Sequence, residues 1–258
     1  MQRQRVSAAV LITGAAKRIG RFIALDLAAR GWRVAVHYHQ SAAEADAVVA
    51  EIAAGGGAAV AIRADLSREE ETGGLVARAI DALGPLAALV NNASVFETDG
   101  ANTATRASWD MHMEVNLRAP FVLTQAFARA LPAGSRGNVI NILDQRVWNL
   151  TPFFTSYTVS KAGLWTLTQT LAMALAPAVR VNAVGPGPTL PSARQTEDSF
   201  RRQWTALPLS RRVRPEEIAA AIRFILDAHS VTGQMIAVDA GQHLGWSPRA
   251  GGPASADE

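Results

Sequence analysis

A tyrosine and a lysine four residues apart form the pair with the clearest chemical meaning in this sequence. The chain contains two tyrosines, and Lys17 and Lys161 are its only lysines. Tyr157 and Lys161 lie within a predicted helix, where a spacing of four residues returns to the same face. A nearby ammonium favours the ionised form of a phenol, so the pair predicts a tyrosine of lowered pKa that exchanges protons with a substrate. The alternative is a surface tyrosine beside a cation.

A glycine-containing turn near the start of the chain has the composition of a phosphate-binding loop. It runs from Thr13 to Gly20, between a predicted strand and a predicted helix. Gly14 allows a tight turn and Gly20 allows close helix packing. The exposed amides and the helix dipole favour a pyrophosphate, and Arg18 and Ile19 lie in the same turn. The alternative is a plain strand-to-helix turn.

The elements that position these residues belong to one globular domain. A length of 258 residues with 49% apolar residues suits a single core. We predict one domain over residues 1–244 and a flexible tail over 245–258, where Gly, Pro, Ala and Ser dominate. The absence of cysteine excludes disulfides, thiolate metal sites and cysteine nucleophiles.

Charge and hydropathy limit the classes of binding partner that this protein is expected to have. The net charge is +3, and the arginines are scattered among acidic residues without a nucleic-acid-binding motif. No apolar stretch is long enough for a membrane helix, and the apolar run after the basic start is too short for a signal peptide. We therefore expect a cytoplasmic protein with a small-molecule substrate and neither nucleic acid nor membrane as a partner.

Seven short apolar runs alternate with longer helical patterns. This order predicts a Rossmann-type, doubly wound α/β fold: a parallel seven-stranded sheet with helices on both faces and the ligand site at the carboxyl ends of the strands. Residues 185–215 hold five of the twelve prolines and predict a mobile lid over the site. The predicted strands are Val10–Ile12, Arg33–His37, Val60–Arg63, Leu86–Val90, Val139–Ile142, Val179–Val184 and Met235–Val238.

The end of the second predicted strand bears on the choice of cofactor. An NAD site places a carboxylate there, whereas this chain has His37, His39, Gln40 and Ser41. Because Arg18 can pair with a 2′-phosphate, NADP is favoured over NAD. The histidines are otherwise solvated polar residues, and no third ligand has the spacing of a metal site, so no metal is expected.

Residues after the third strand offer a further contact with the cofactor. Asp65 either meets the adenine edge or caps a helix, and Leu66 follows it.

Together these features resemble the short-chain dehydrogenase/reductase family over nearly the whole chain. The resemblance implies that Tyr157 donates a proton and that Lys161 holds the ribose and lowers the tyrosine pKa. It further implies that Asn116 supports a water relay, that Asn91 braces the cofactor-side strand and that the Thr189 hydroxyl lies near the nicotinamide amide. The other matching motif residues are Ala93, Pro186 and Gly187.

One departure from the family pattern is informative. Thirteen residues before the tyrosine the family normally has a serine that binds the substrate carbonyl, and this chain has Asp144. An ionised carboxylate within about 4 Å opposes a developing alkoxide by roughly 1 to 4 kcal/mol. Reduction of a C=N bond instead needs a proton on nitrogen, which a carboxyl beside a phenol can relay.

Asp144 and Arg18 together look like the pteridine reductase branch of the family. By that resemblance Phe96 stacks on a pterin ring, with Ser94, Arg18, Asp144 and Tyr157 as its substrate-binding neighbours; packing in the core is the alternative for Phe96. Gln40 stands where the branch often has an arginine for the 2′-phosphate, which leaves the strength of the NADP preference open.

These observations predict an NADPH-dependent reductase of a pterin-like C=N bond. The alternatives are a carbonyl reductase of 3-oxoacyl or sugar ketones, in which a protonated Asp144 donates as serine would, and a catalytically silent NADP-binding sensor or scaffold. The resemblance also implies a homodimer or homotetramer. The predicted helix Thr155–Ala176, apolar around most of its girth, is expected to be buried on most faces.

Overall fold

The structure, a computed structural model, describes residues 8–245. Its strands are β1 (Ala9–Ile12), β2 (Arg33–Tyr38), β3 (Ala59–Arg63), β4 (Leu86–Asn91), β5 (Gly137–Ile142), β6 (Val179–Pro186) and β7 (Met235–Val238). They form one parallel sheet in the order β3-β2-β1-β4-β5-β6-β7. The predicted Rossmann-type α/β fold is confirmed, because all seven predicted strands are present and helices cover both faces.

Helices pack on each face of the sheet, which explains why its strands are continuous apolar runs. Ile23 of α1, Val48 of α2 and Ile222 of α8 form the core on one face. Leu75 of α3 and Leu123 of α5 join α6 in the core on the other face. The helices are α1 (Arg18–Ala28), α2 (Ala42–Ala54), α3 (Glu69–Leu83), α4 (Arg106–Met113), α5 (Ala119–Ala130), α6 (Thr155–Leu175), α7 (Glu197–Thr205) and α8 (Pro215–Asp227).

The strand order determines where a ligand can bind. Strand β1 pairs with β2 on one side and with β4 on the other, so the crossovers leave in opposite directions at this point. A crevice forms outside the carboxyl ends of the strands at such a switch point. It brings the glycine turn after β1 next to residues 91–93 at the end of β4.

The segment 185–215 is more structured than the sequence predicted. It contains α7, and Phe200, Leu207 and Val213 anchor it in the interior. The signal for α7 is a Thr196 cap, whose hydroxyl accepts a hydrogen bond from Ser199 N, followed by two acidic residues in the first turn.

Within one chain, helix α6 is buried on one face. Its buried face carries Tyr157, Ser160, Lys161 and Thr168, whereas Met173 is 74% exposed. The helix is therefore not buried on most faces within one chain. The tail predicted for 245–258 lies outside the described residues except for Gly245, and within 8–245 no helix is long and apolar enough to span a membrane.

Candidate active site

The glycine turn is held by hydrogen bonds from the end of β4. The Thr13 hydroxyl accepts from the backbone N–H groups of Asn92 and Ala93, at 2.9 and 3.0 Å. The Asn92 side chain donates to the carbonyls of Thr13 and Gly14, at 2.8 and 3.1 Å. Gly14 adopts a left-handed φ of +62° that favours glycine. Asn92 was not among the predicted site residues, although it lies between Asn91 and Ala93, which were.

The N-terminus of α1 suits an anionic group. Among residues 8–245, no side chain caps this helix end, and the first turn contains no acidic residue. The first N–H groups of a helix have no intrahelical partner, and together with the positive end of the dipole they fit the phosphates of a dinucleotide.

Arg18 bridges two segments at the mouth of the site. Its guanidinium donates to Pro191 O at 2.8 Å and to Leu190 O at 3.1 Å, which ties the glycine turn to segment 185–215. Two of its nitrogens thus donate to backbone carbonyls, and pairing of Arg18 with a 2′-phosphate stays a prediction. Arg18 does line the same cavity as Phe96 and Asp144, as a substrate-binding role requires.

His37 supports the turn from inside the protein. Gly14 N donates to Nδ1 at 3.0 Å, so the proton resides on Nε2, which lies 3.1 Å from Ala64 O and donates to it. The residue is 2% exposed, and burial lowers its pKa from 6.5 to about 4. Both ring nitrogens are engaged by protein groups, and a contact of this ring with the cofactor stays a prediction.

Acidification is expected to loosen the turn through His37. Because its pKa is depressed in the folded protein, its contribution to stability is present above pH 6.5 and is lost as the pH falls through about 4. The full loss is about 3 kcal/mol, since one pKa unit corresponds to about 1.4 kcal/mol. Urea unfolding at pH values from 7 to 4 should show the stability gap between wild type and His37→Gln narrowing. A gap that stays constant over this range would contradict the prediction.

The other residues predicted to bind the adenosine part of the cofactor lie after β2 and β3. His39 and Gln40 are exposed, Ser41 precedes α2, and His39 Nε2 lies 3.6 Å from Asp65 Oδ2. Asp65 Oδ1 accepts from the N–H and hydroxyl of Ser67, at 2.9 and 2.7 Å, so the carboxylate stabilises the turn before α3. Leu66 is packed in the core with 7% exposure. No carboxylate follows β2, in keeping with the expected NADP preference.

The tyrosine hydroxyl meets the unusual carboxylate directly. Tyr157 Oη donates to Asp144 Oδ2 at 3.0 Å. The other carboxylate oxygen, Asp144 Oδ1, accepts from Arg146 N at 2.8 Å at the start of a 3₁₀ turn over Gln145–Val147. Backbone geometry after β5 thus holds the carboxylate against the phenol.

Lys161 is buried beneath the tyrosine. Its ammonium donates to Ile142 O at 2.9 Å and lies 5.8 Å from the centroid of the Tyr157 ring. Burial lowers its pKa from 10.5 to about 8, so it is mostly protonated at neutral pH.

The pKa of Tyr157 changes in the direction opposite to the prediction. Burial, followed by the charge and the hydrogen bond of Asp144, raises it well above its usual value. The expected lowering by Lys161 is wrong here, because burial and the Asp144 carboxylate both oppose ionisation of the phenol. The hydroxyl keeps its proton at neutral pH, which suits a proton donor.

Asn116 lies in a π-helical turn between α4 and α5, spanning Glu114–Arg118. Its amide accepts from Val95 N at 2.8 Å and donates to Val95 O at 2.9 Å. It also accepts from Ser94 Oγ at 3.2 Å and donates to Ser160 Oγ at 3.1 Å. In this arrangement Asn116 ties the loop after β4 to the helix that carries Tyr157.

A series of hydrogen-bonded polar side chains links β4, β5 and α6. Asn91 Nδ2 donates to Asn141 Oδ1 at 2.8 Å, and Asn141 Nδ2 donates to Thr168 Oγ1 at 2.9 Å. This arrangement is consistent with the bracing expected of Asn91. Asn141 and Thr168 were missed, because nothing in their local sequence distinguishes them.

Aromatic rings form one wall of the site. The ring of Phe96 stacks on Phe154 with a centroid distance of 4.4 Å and packs edge-on against Tyr157 at 4.6 Å. Arg194 donates to Phe96 O at 2.9 Å, and its guanidinium lies 5.1 Å from the Phe96 ring centroid. Phe96 thus packs against its aromatic neighbours, and its partly exposed ring also lines the cavity; its stacking on a pterin stays a prediction.

The cavity in front of Asp144 is lined by residues that follow β1, β4, β5, β6 and β7. The Thr189 hydroxyl donates to Gly187 O at 2.9 Å there. Gln145 and Ser192 were not predicted as site residues; each has a buried side-chain oxygen without a hydrogen-bond partner among the described residues. The other lining residues include Arg18, Ile19, Phe96, Arg146, Pro186, Gly187, Pro188, Leu190, Gln195, Phe200, Gln203 and Gln242.

The parallel sheet, the glycine turn and the buried Tyr157–Lys161 pair define an oxidoreductase of the Rossmann type. A family model described as enoyl-(acyl carrier protein) reductase matches residues 14–243. The chain belongs to the short-chain dehydrogenase/reductase family, which confirms the resemblance seen in the sequence.

Relatives and solved structures extend this assignment. The 3-oxoacyl-[acyl-carrier-protein] reductase of Synechocystis sp. is 36% identical over 236 residues, 90% of this chain and 95% of that protein. FolM alternative dihydrofolate reductase 1 from Brucella suis, solved in complex with NADP, is 47% identical with a TM-score of 0.91, covering 95% of this chain and 98% of that one. Its Brucella canis counterpart, also complexed with NADP, is 46% identical with a TM-score of 0.92, covering 98% and 100%.

Proposed function

We propose that this enzyme reduces a C=N bond of a dihydropterin-like heterocycle with NADPH. The observation that carries the proposal is the hydrogen bond from Tyr157 Oη to Asp144 Oδ2 at 3.0 Å, at the position where the family normally has serine. The similarity to two proteins described as alternative dihydrofolate reductases supports the same substrate class.

The cofactor is NADP(H), as in the solved complexes of the similar enzymes. When bound, it supplies a hydride to the carbon of the C=N bond. The glycine turn from Thr13 to Gly20 and the uncapped end of α1 hold its phosphates. By the family resemblance, Lys161 would hold the nicotinamide ribose and the Thr189 hydroxyl would lie near the nicotinamide amide.

The Tyr157–Asp144 pair provides the matching proton. The raised pKa keeps the phenol protonated, and its hydroxyl and the carboxylate lie within one hydrogen bond of each other. A ring nitrogen that approaches this pair accepts one proton as the carbon accepts the hydride, so charge is balanced. Asn116 positions the tyrosine helix through Ser160.

Reduction of a ketone is the second candidate function, because the Synechocystis relative is described as a 3-oxoacyl-[acyl-carrier-protein] reductase. Electrostatics disfavour it. A growing alkoxide beside the Asp144 carboxylate is opposed by roughly 1 to 4 kcal/mol, whereas a ring nitrogen that gains a proton is not.

The substitution Asp144→Ser separates the two functions. We expect wild type to oxidise NADPH, followed at 340 nm, with dihydrobiopterin, dihydromonapterin or dihydrofolate but not with small ketones. Pterin turnover should fall about 100-fold in the Asp144→Ser variant, as for loss of a general acid–base group. Ketone turnover that exceeds pterin turnover in wild type, and survives in the variant, would replace the proposal with the carbonyl reductase.

A further inference from the structure

A chain of buried polar side chains lies beside Tyr157 and takes no part in the proposed proton transfer. It consists of His112 from α4, Ser156 from α6 and Asp99 from the loop after β4. His112 and Ser156 are fully buried, and Asp99 is 5% exposed. A buried polar group without a hydrogen-bond partner costs free energy. The hydrogen bonds among these three side chains therefore hold them in one arrangement.

The direction of each hydrogen bond follows from the backbone. Glu97 N donates to His112 Nε2 at 3.1 Å, so Nε2 has no proton and Nδ1 carries it. Nδ1 therefore donates to Ser156 Oγ at 2.7 Å, and Ser156 Oγ donates to Asp99 Oδ2. Asp99 Oδ1 accepts from Ser156 N at 3.1 Å.

The charges in the chain agree with these directions. Burial lowers the pKa of His112, which keeps the ring neutral at neutral pH. Burial opposes ionisation of Asp99, but hydrogen bonds from Ser156 and Ser108 outweigh it and hold its pKa below the usual value. The chain thus ends on a carboxylate that is stabilised by donors.

The chain joins two parts of the site. At one end, Glu97 directly follows Phe96, the ring that packs against Tyr157. At the other end, Ser156 directly precedes Tyr157, and Asp99 O accepts from Phe154 N at 2.8 Å. Phe154 has a φ of +58°, a strained conformation for a bulky residue, and it persists because neighbouring contacts hold it. The imidazole itself lies edge-on to the Tyr157 ring, 6.0 Å between centroids.

We infer that His112 is a positioning residue, which sets the Tyr157 ring through Ser156 and the Phe96 loop through Glu97. The inference rests on the proposed role of Tyr157 as proton donor. Neither the family motifs nor the sequence pattern pointed to His112. One imidazole thus links the loop after β4, α4 and α6, because its two ring nitrogens make different hydrogen bonds.

Two amide substitutions separate the two hydrogen bonds. Glutamine in His112→Gln can present an oxygen near the position of Nε2 and keep the Glu97 bond. Asparagine in His112→Asn can present an amide N–H near Nδ1 and keep the Ser156 bond. We expect His112→Gln to lower kcat about tenfold with KM for dihydrobiopterin little changed, and His112→Asn mainly to raise KM, because small displacements of reacting groups are costly.

A spectroscopic measurement tests the inference without turnover. The chain has two tyrosines, so ¹³Cζ-tyrosine labelling yields two resonances, with Tyr38 at the end of β2 as the internal reference. Substitution of His112 should move the Tyr157 resonance and leave that of Tyr38 in place.

The outcomes distinguish this inference from the proposed function. Two results would overturn the positioning role. In the first, both His112 variants lose activity to the same extent, in proportion to their lowered Tm. In the second, the Tyr157 resonance does not move. Full activity of Tyr157→Phe would instead overturn the role of Tyr157 as proton donor. The shift of the Tyr157 resonance in the His112 variants would still report whether His112 positions the ring. Ketones replace dihydrobiopterin in the kinetic arm if the substrate panel favours them.

Discussion

Replacement of Tyr157 by phenylalanine is expected to lower kcat by about 10²- to 10⁴-fold, the range for loss of a positioned general acid. The variant keeps the ring packing against Phe96 and Lys161 but loses the hydroxyl that donates to Asp144. Because a proton that cannot be delivered limits the chemical step and not binding, KM should change little. Single-turnover oxidation of NADPH with dihydrobiopterin measures the chemical step directly.

The substitution Val159→Ala provides a matched control on the same helix. Val159 is 43% exposed and faces away from Tyr157 and Lys161. We expect its kcat to stay within about twofold of wild type, as for surface substitutions. An active Tyr157→Phe variant would mean that Asp144 alone, or water, supplies the proton.

Substitution of Gly20 by alanine is expected to weaken NADPH binding by 100-fold or more, which corresponds to about 3 kcal/mol. An added Cβ would lie 2.2 Å from Gly14 O and 2.5 Å from Asn92 Nδ2. Neither atom can move away easily. Gly14 O belongs to the backbone of the turn, and Asn92 Nδ2 donates a hydrogen bond to that oxygen. The turn must therefore open where the phosphates bind. Fluorescence titration with NADPH measures the affinity.

The substitution Gly73→Ala is the control for the general effect of removing a glycine from a helix. Gly73 lies in α3, and an added Cβ would have no neighbour within 4 Å. Alanine there should stabilise the protein by up to about 1 kcal/mol without changing NADPH affinity. Equal affinities of Gly20→Ala and wild type would show that the turn tolerates the extra carbon and is not built around this contact.

The roles of the two glycines show what spacing can indicate and what it cannot. The sequence pattern predicts a turn after β1 with a glycine at each end, and the structure has that turn. The reason Gly20 must be small is Asn92, which is 72 positions further along the chain and enters from β4. Only the pairing of β1 with β4 places the two together.

Side-chain direction is the part of the site that the sequence did not determine. His37 and Arg18 were both placed toward the cofactor. In the structure His37 turns inward to Gly14 N and Ala64 O, and Arg18 reaches the carbonyls of Leu190 and Pro191. Each side chain satisfies backbone groups of segments that are remote in sequence, and these partners are invisible to any local pattern.

The sequence by itself determined the parallel α/β fold, the seven strands, the glycine turn and the Tyr157–Lys161 pair, because apolar periodicity and helical spacing are local properties. It also revealed Asp144 as a departure from the family. The tertiary structure alone decided that Asp144 accepts a hydrogen bond from Tyr157 and that the pKa of Tyr157 rises. A pKa depends on burial and on charges from other elements, and these exist only once the chain has folded.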